Sequence, residues 1–237
     1  MDMDPLREEL QALHHKPGLD TRIRYLASIQ ALIALGRERR LYTLLHLALE
    51  EGIDLTDIRE IMLQAYPFCG FPRTINGFAV LKRCLRETDF NEADLAHLPL
   101  DARTPQELDQ MGLDLFRKIY QFNHFEVLNA LQGDHPELPR WILRDVYGKV
   151  MTRPAVDAKT RELAAVAALA VLKVFPQLLS HIKGGLNLGA DHTEVREVIE
   201  QMSAFAPPDT VRKALRILRL GTRDRNACQD PPVEKAQ

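Results

Sequence analysis

VDAKTRELAAVAALAVLKVFPQLLSHIKGGLNLGA, residues 156–190, is the stretch whose reading decides the fold. Its first half is rich in Ala and Leu, which favour helix, and Asp157 is placed to cap the start. Pro176 falls where a second helix can take it at its first position, and Gly189 is a stop signal. The stretch therefore predicts a helix hairpin. Beyond it, Thr193-x-x-Arg196-Glu197 opens a further helix with Val195, Val198, Ile199 and Met202 on one face. Pro207-Pro208 ends that helix, and TVRKALRILRL (210–220) makes a last one. Alternating β-branched residues flanked by hairpin turns do not occur, so the expected class is all-α.

The hairpin is the second copy of something. Laying GIDLTDIREIMLQAYPF (52–68) on GADHTEVREVIEQMSAF (189–205) sets an offset of 137 that continues without a gap in both directions. Asp20 meets Asp157, Arg24 meets Arg161, Leu41 meets Leu178, Glu60 meets Glu197 and Gln64 meets Gln201. Such a long period suits a duplicated small domain rather than a solenoid. Between the copies, 91–106 carries prolines and polar residues and reads as a linker, followed by amphipathic helices over 108–122 and 137–151. The expected division is a degenerate N-terminal repeat at 1–90, the linker at 91–106, a second repeat at 107–222 and a polar tail at 223–237.

Composition excludes several function classes. A formal charge of −2 on 237 residues offers no field for nucleic acid or anionic lipid. Cys69, Cys84 and Cys228 show neither C-x-x-C nor metal-ligand spacing, which fits a reducing compartment. No run approaches the ~20 apolar residues that span a bilayer. A cytoplasmic address follows, with no nucleic acid and no membrane as partner. His14, His15, His97, His124, His135 and His192 form no i, i+4 metal pair and read as surface or capping residues. No metal and no cofactor is expected.

With these pieces in order, HPELPRWILRDVYGKVMTRPAVDAKTRELAAVAALAVL (135–172) and QLLSHIKGGLNLGADHTEVREVIEQM (177–202) together resemble the carboxymuconolactone decarboxylase family, which includes the alkylhydroperoxidase D-like proteins. The likeness is good over 112–220 and looser over 19–82. It implies a duplicated alkylhydroperoxidase D-like helical bundle and a homo-oligomer, either a trimer of duplicated chains or a dimer. The peroxidase branch of the family carries Glu-x11-Cys-x-x-Cys-x3-His. Counted from Glu162, the cysteine positions fall on Val174 and Gln177 and the histidine on His181. Without a thiolate to attack and a second thiol to resolve, thiol peroxidase chemistry by that route is excluded in this copy. The first copy has Tyr25 and Leu44 at the Glu162 and His181 positions. His46 sits two residues further along, turned away by about 200°.

The resemblance implies a cofactor-free lyase acting on a small lactone or carboxylic acid by proton transfer. His181 would be the proton donor, Glu162 its orienting carboxylate, and Arg153 or Arg161 the anchor for a carboxylate substrate, with Arg144 a further guanidinium in range. Each residue also has a structural reading. Glu162 can serve the helix dipole, Arg161 an ion pair, and Gly184 and Gly185 close helix packing. The alternative function is a non-catalytic helical scaffold or small-ligand-binding paralogue. Along a plain hairpin, Glu162 and His181 come out ~10 Å from level at ~1.5 Å rise per residue. Tyr66–Pro72 reads as a packed aromatic turn able to wall a pocket.

Overall fold

The computed structural model describes residues 5–88 and 101–222, and all of their regular structure is helical. In chain order these are α1 (Pro5–His14), α2 (Thr21–Leu35), α3 (Glu38–Glu50), α4 (Leu55–Gln64), α5 (Tyr66–Arg86), α6 (Pro105–Tyr120), α7 (His124–Asp134) and α8 (Leu138–Trp141). The last runs into a π-helix, Ile142–Met151, followed by α9 (Ala158–Leu172), α10 (Phe175–Asn187), α11 (His192–Gln201) and α12 (Pro208–Gly221). The duplication holds residue for residue. At the offset of 137, both ends of α2, α3 and α4 fall on the ends of α9, α10 and α11, and α1 falls on the π-helix. Helix α5 has a break at Gly70 (φ 79°), and the part beyond it matches α12.

Local signals explain the boundaries. Asp20 caps α2 by accepting from the Ile23 amide, and Asp157 caps α9 by accepting from Thr160. Asp191 and Glu194 form a reciprocal capping box on α11. Gly36 ends α2 in the left-handed region, and Lys173 (φ 61°) takes the same conformation to end α9. The expected linker is shorter than its sequence suggests at its C-terminal end. Thr104 and Glu107 make a capping box with Pro105 in the first turn, so α6 already occupies 105–106. Positions 91–100 and the tail 223–237 lie outside the described residues.

Helices α2 and α9 form the centre. Twelve of fifteen residues in each are buried, as expected of helices apolar on all sides. They cross the boundary between repeats: Val156 and Ala164 pack into the core of the first copy, while Leu19, Ile23, Ala27 and Ala31 pack into that of the second. The two copies bury each other. A buried ionic lattice repeats with the same symmetry. Arg24 bonds Glu197 (2.9 Å) and Gln201, and Arg161 bonds Glu60 (3.0 Å) and Gln64. Each glutamine answers with its side-chain amide, Gln64 to the Arg161 carbonyl and Gln201 to that of Arg24.

Helices α6 and α7 precede the second copy and have no counterpart in the first at the offset of 137. Helix α6 packs tightly on the π-helix through Gly112 and Gly148. Helix α7 buries none of its residues, and Phe122 and Phe125 at its start and Trp141 at the end of α8 face solvent.

His14 corrects an expectation, for it is fully buried rather than at the surface. Its ring stacks on Tyr25 at 4.2 Å. Nδ1 sits 2.6 Å from the Leu10 carbonyl, an acceptor only, so Nδ1 carries the proton and Nε2 accepts from Ser28. Burial drives the imidazole down to about 4 against the Leu10 bond, with the Arg24 charge adding to the effect. A depressed histidine leaves stability complete above pH 6.5 and removes it as pH falls toward 4, by on the order of 3 kcal/mol. Urea unfolding of wild type and His14→Gln at pH 7 and pH 4.5 checks this: the wild type is expected to lose more stability between the two pH values than the variant, and equal losses would refute the assignment.

Candidate functional site

Glu162 is the fifth residue of α9, beyond its first turn, so service to the helix dipole does not explain it. It is fully buried. Its Oε2 lies 2.8 Å from Nδ1 of His181 on α10, and its Oε1 is buried with no hydrogen-bond partner among the described residues. The imidazole keeps 14% of its side-chain surface exposed. The pair is therefore a sealed carboxylate holding a histidine at the surface.

The levelling problem disappears because α9 ends at Leu172 and α10 begins at Phe175, with only Lys173 and Val174 between. Glu162 is then about 15 Å from the turn and His181 about 9 Å, a mismatch that two side chains can span. Close approach of the helices does the rest. A Cβ at Gly184 would stand 2.7 Å from Glu162 Oε2 and 2.9 Å from Ile119, so the glycine makes room for the carboxylate itself.

Other walls come from elsewhere in the chain. Phe68, on α5 of the first repeat, meets the His181 ring edge to face at 5.6 Å. Of the aromatic stretch 66–72, Phe68 thus borders the site, and the stretch is a kinked helix rather than a turn. At the C-terminal end of α6, the Ile119 carbonyl accepts from Asn187 at 2.7 Å. Next to it, Tyr120 accepts a hydrogen bond from Tyr147 of the π-helix, oxygen to oxygen 3.3 Å. Burial raises both phenols, and the Glu162 charge pushes each further up. Sequence reasoning missed these two tyrosines. The available signal was the rarely populated backbone around them, which composition does not reveal.

The arginines proposed as anchors are engaged elsewhere. Arg161 is fully buried, with its donors on Glu60, Gln64 and the carbonyls of Val156 and Arg153. No edge is left for a substrate carboxylate. Arg153 grips Glu60 with Nε and Nη2 at 2.7 Å. It borders a different hollow, of about 480 Å³, together with Tyr66, Arg103, Arg144 and Lys149. Arg144 there is held by Asp109 at 2.6 Å. Burial pushes the Glu60 carboxyl up, but the bonds and charges of Arg153 and Arg161 outweigh it and hold the group below its usual range. None of these bonds includes Glu162 or His181.

In the first repeat the same position holds no acid–base pair. Tyr25 and Leu44 stand there, both buried, with His14 of α1 stacked on the tyrosine. His46 is turned to Tyr42 and Glu87 instead. Among the described residues, no helix is long and apolar enough to cross a membrane.

The chain is 33% identical over 161 residues to Peroxisomal protein 2 of Saccharomyces cerevisiae, covering 59% of this chain and 57% of that one. It is 30% identical over 176 residues to Peroxisomal protein 2 of Schizosaccharomyces pombe, covering 72% and 79%. It is 26% identical over 98 residues to 4-carboxymuconolactone decarboxylase of Acinetobacter baylyi, covering 41% and 73%. The match thus spans little more than half the length of the S. cerevisiae protein. Two stretches, 3–83 and 136–220, match the carboxymuconolactone decarboxylase family, one in each half of the duplication. A duplicated all-helical chain with a family match on each copy belongs to the carboxymuconolactone decarboxylase family.

Proposed function

We propose that the second repeat is a cofactor-free proton-transfer site, a lyase acting on a small lactone or carboxylic acid, with the first repeat as its structural partner. The observation that carries this reading is the 2.8 Å bond between the sealed Glu162 carboxylate and the partly exposed His181. The carboxylate fixes Nδ1 as the donor to Glu162 and leaves Nε2 to face a substrate. When a carboxylate leaves as CO2, its bonding electrons pass into a dienolate. The imidazolium then gives its Nε2 proton to the carbon and recovers one from solvent. Arg153 and Arg161 have no substrate contact in this reading, because their guanidinium groups hold the repeats together.

A second reading, a scaffold or small-ligand binder without turnover, is favoured by the first repeat, which keeps the fold with Tyr25 and Leu44 at the paired positions. Turnover of a panel of lactone acids by wild type and His181→Ala separates the two. Loss of at least about a hundredfold in the variant is expected. Equal rates in both, or none in either, overturn the lyase and leave the scaffold. The cytoplasmic address expected from composition competes with the peroxisomal one in the names of two relatives, and imaging the tagged chain in its own cell decides between them.

A further inference from the structure

We propose that the hollow of about 480 Å³ between the repeats is a second binding site, for a small organic carboxylate whose charged end meets Arg144, Lys149 and Arg153 and whose apolar body rests on Leu63, Leu108 and Val150. Neither Glu162 nor His181 lines this hollow, so it can take a ligand whether or not His181 transfers protons.

Charge is the first observation. The chain as a whole carries −2, yet four of the side chains lining the hollow, Arg103, Arg144, Lys149 and Arg153, are cationic, and one, Asp101, is acidic. Each cation has a carboxylate partner: Asp101, Asp109, Asp145 and Glu60 respectively. Glu60 is shared with the buried Arg161, however, so five cations meet four carboxylates and one positive charge is left over. The field shows at Asp101. The side-chain bond from Arg103 does most to hold its carboxyl down at about 2 against burial, and the charge of Arg153 adds to the effect. A single carboxylate would complete the balance, whereas a dianion would overshoot it.

Free donors are the second. Arg144 and Arg153 are gripped in the same way, each through Nε and Nη2 by one carboxylate. Among the described residues, Nη1 of both is left without a bond, and the Lys149 ammonium has one bond, to Asp145 at 2.6 Å. Arg103 is spent on Asp101 and Thr152 and supplies charge only. Guanidinium groups fixed along one edge are pre-oriented to take an anion at the other, with little side-chain entropy left to lose.

The third is a wall that charge alone does not require. Leu63, Pro105, Leu108 and Val150 border the same hollow. The Tyr66 ring stands with them, held by its hydroxyl bond to the Asp145 carbonyl (2.8 Å) and by stacking on Phe71 at 4.9 Å. Apolar walls with a few convergent polar groups make a small-molecule site. Helix α6 and the π-helix, which carry most of the lining, are locked together through Gly112 and Gly148, so the hollow is preformed. The mirror position lacks these features. At the offset of 137, Leu63 and Tyr66 become Glu200 and Ser203, Lys149 becomes Ala12, and α6 has no counterpart. The hollow is therefore not a by-product of joining two repeats.

Isothermal titration of the full chain with benzoate at low salt tests this, with benzamide as the uncharged control and circular dichroism as the check on folding. One benzoate per chain is expected, with benzamide at least about tenfold weaker. Arg144→Gln and Lys149→Gln are each expected to weaken benzoate about tenfold, and both are expected to fold, since their ion pairs are partly exposed. His181→Ala should leave the affinity unchanged. Two benzoates per chain, one removed by Arg144→Gln and the other by His181→Ala, support the hollow and the proton-transfer site together. Benzoate lost in His181→Ala and kept in both hollow variants overturns the inference and favours the proton-transfer site as the anion's place. Binding that survives all three variants overturns the inference as well. Equal binding of benzamide, or no benzoate bound by wild type, overturns it and leaves the lyase reading standing.

Discussion

Glu60→Ala is expected to cost about 3–5 kcal/mol of stability, because it strands buried charge. Glu60 is 2% exposed and receives two guanidinium groups, the fully buried Arg161 and the partly buried Arg153. Removing the carboxylate leaves Arg161 bonded to carbonyls and one amide oxygen but to no counter-charge. The mirror substitution, Glu197→Ala, is expected to cost less. Glu197 keeps 17% of its side-chain surface exposed, and its single guanidinium partner, Arg24, also donates to the carbonyls of Lys16 and Pro17. Urea denaturation of both variants at neutral pH checks the order. Equal and small losses would mean that the lattice between the repeats contributes little.

Gly148→Ala is expected to part α6 from the π-helix, at about 3 kcal/mol or more. A Cβ at Gly148 would stand 2.3 Å from the Leu108 carbonyl oxygen, and one at Gly112 would stand 2.0 Å from that of Leu143. Both obstacles are backbone, which cannot rotate aside as a side-chain end can. Gly133→Ala is the contrast: in the exposed α7 nothing lies within 4 Å of the added carbon, so a gain of about 0.5–1 kcal/mol is expected from helix propensity alone. Thermal denaturation of the two glycine variants reads the difference. If Gly148→Ala melts with wild type, the close crossing of these helices is not required.

The site was legible in part. The spacing of Glu162 and His181 marked them as a pair through the family resemblance, and the stretch 66–72 was read as a packed turn able to wall a pocket. The Tyr120–Tyr147 hydrogen bond was not legible, since it depends on a π-helix and a strained residue that no composition signal announces. The anchoring arginines were misplaced for a related reason. A guanidinium next to a candidate acid looks available in sequence, whereas Arg161 turns to a glutamate 101 residues away.

By itself, the sequence determined the helical class, the duplication and the helix ends of the second repeat. These follow from caps, prolines, glycines and apolar spacing, which act over a few residues and so can be read locally. Only the tertiary structure decided that each repeat lends residues to the other's core, that Arg24 and Arg161 each reach into the other copy, and that Phe68 of the first repeat touches His181 of the second. Those contacts join residues far apart in the chain, and their distances are set by how closely helices can approach, which depends on the glycines and on the ring and carboxylate shapes packed between them.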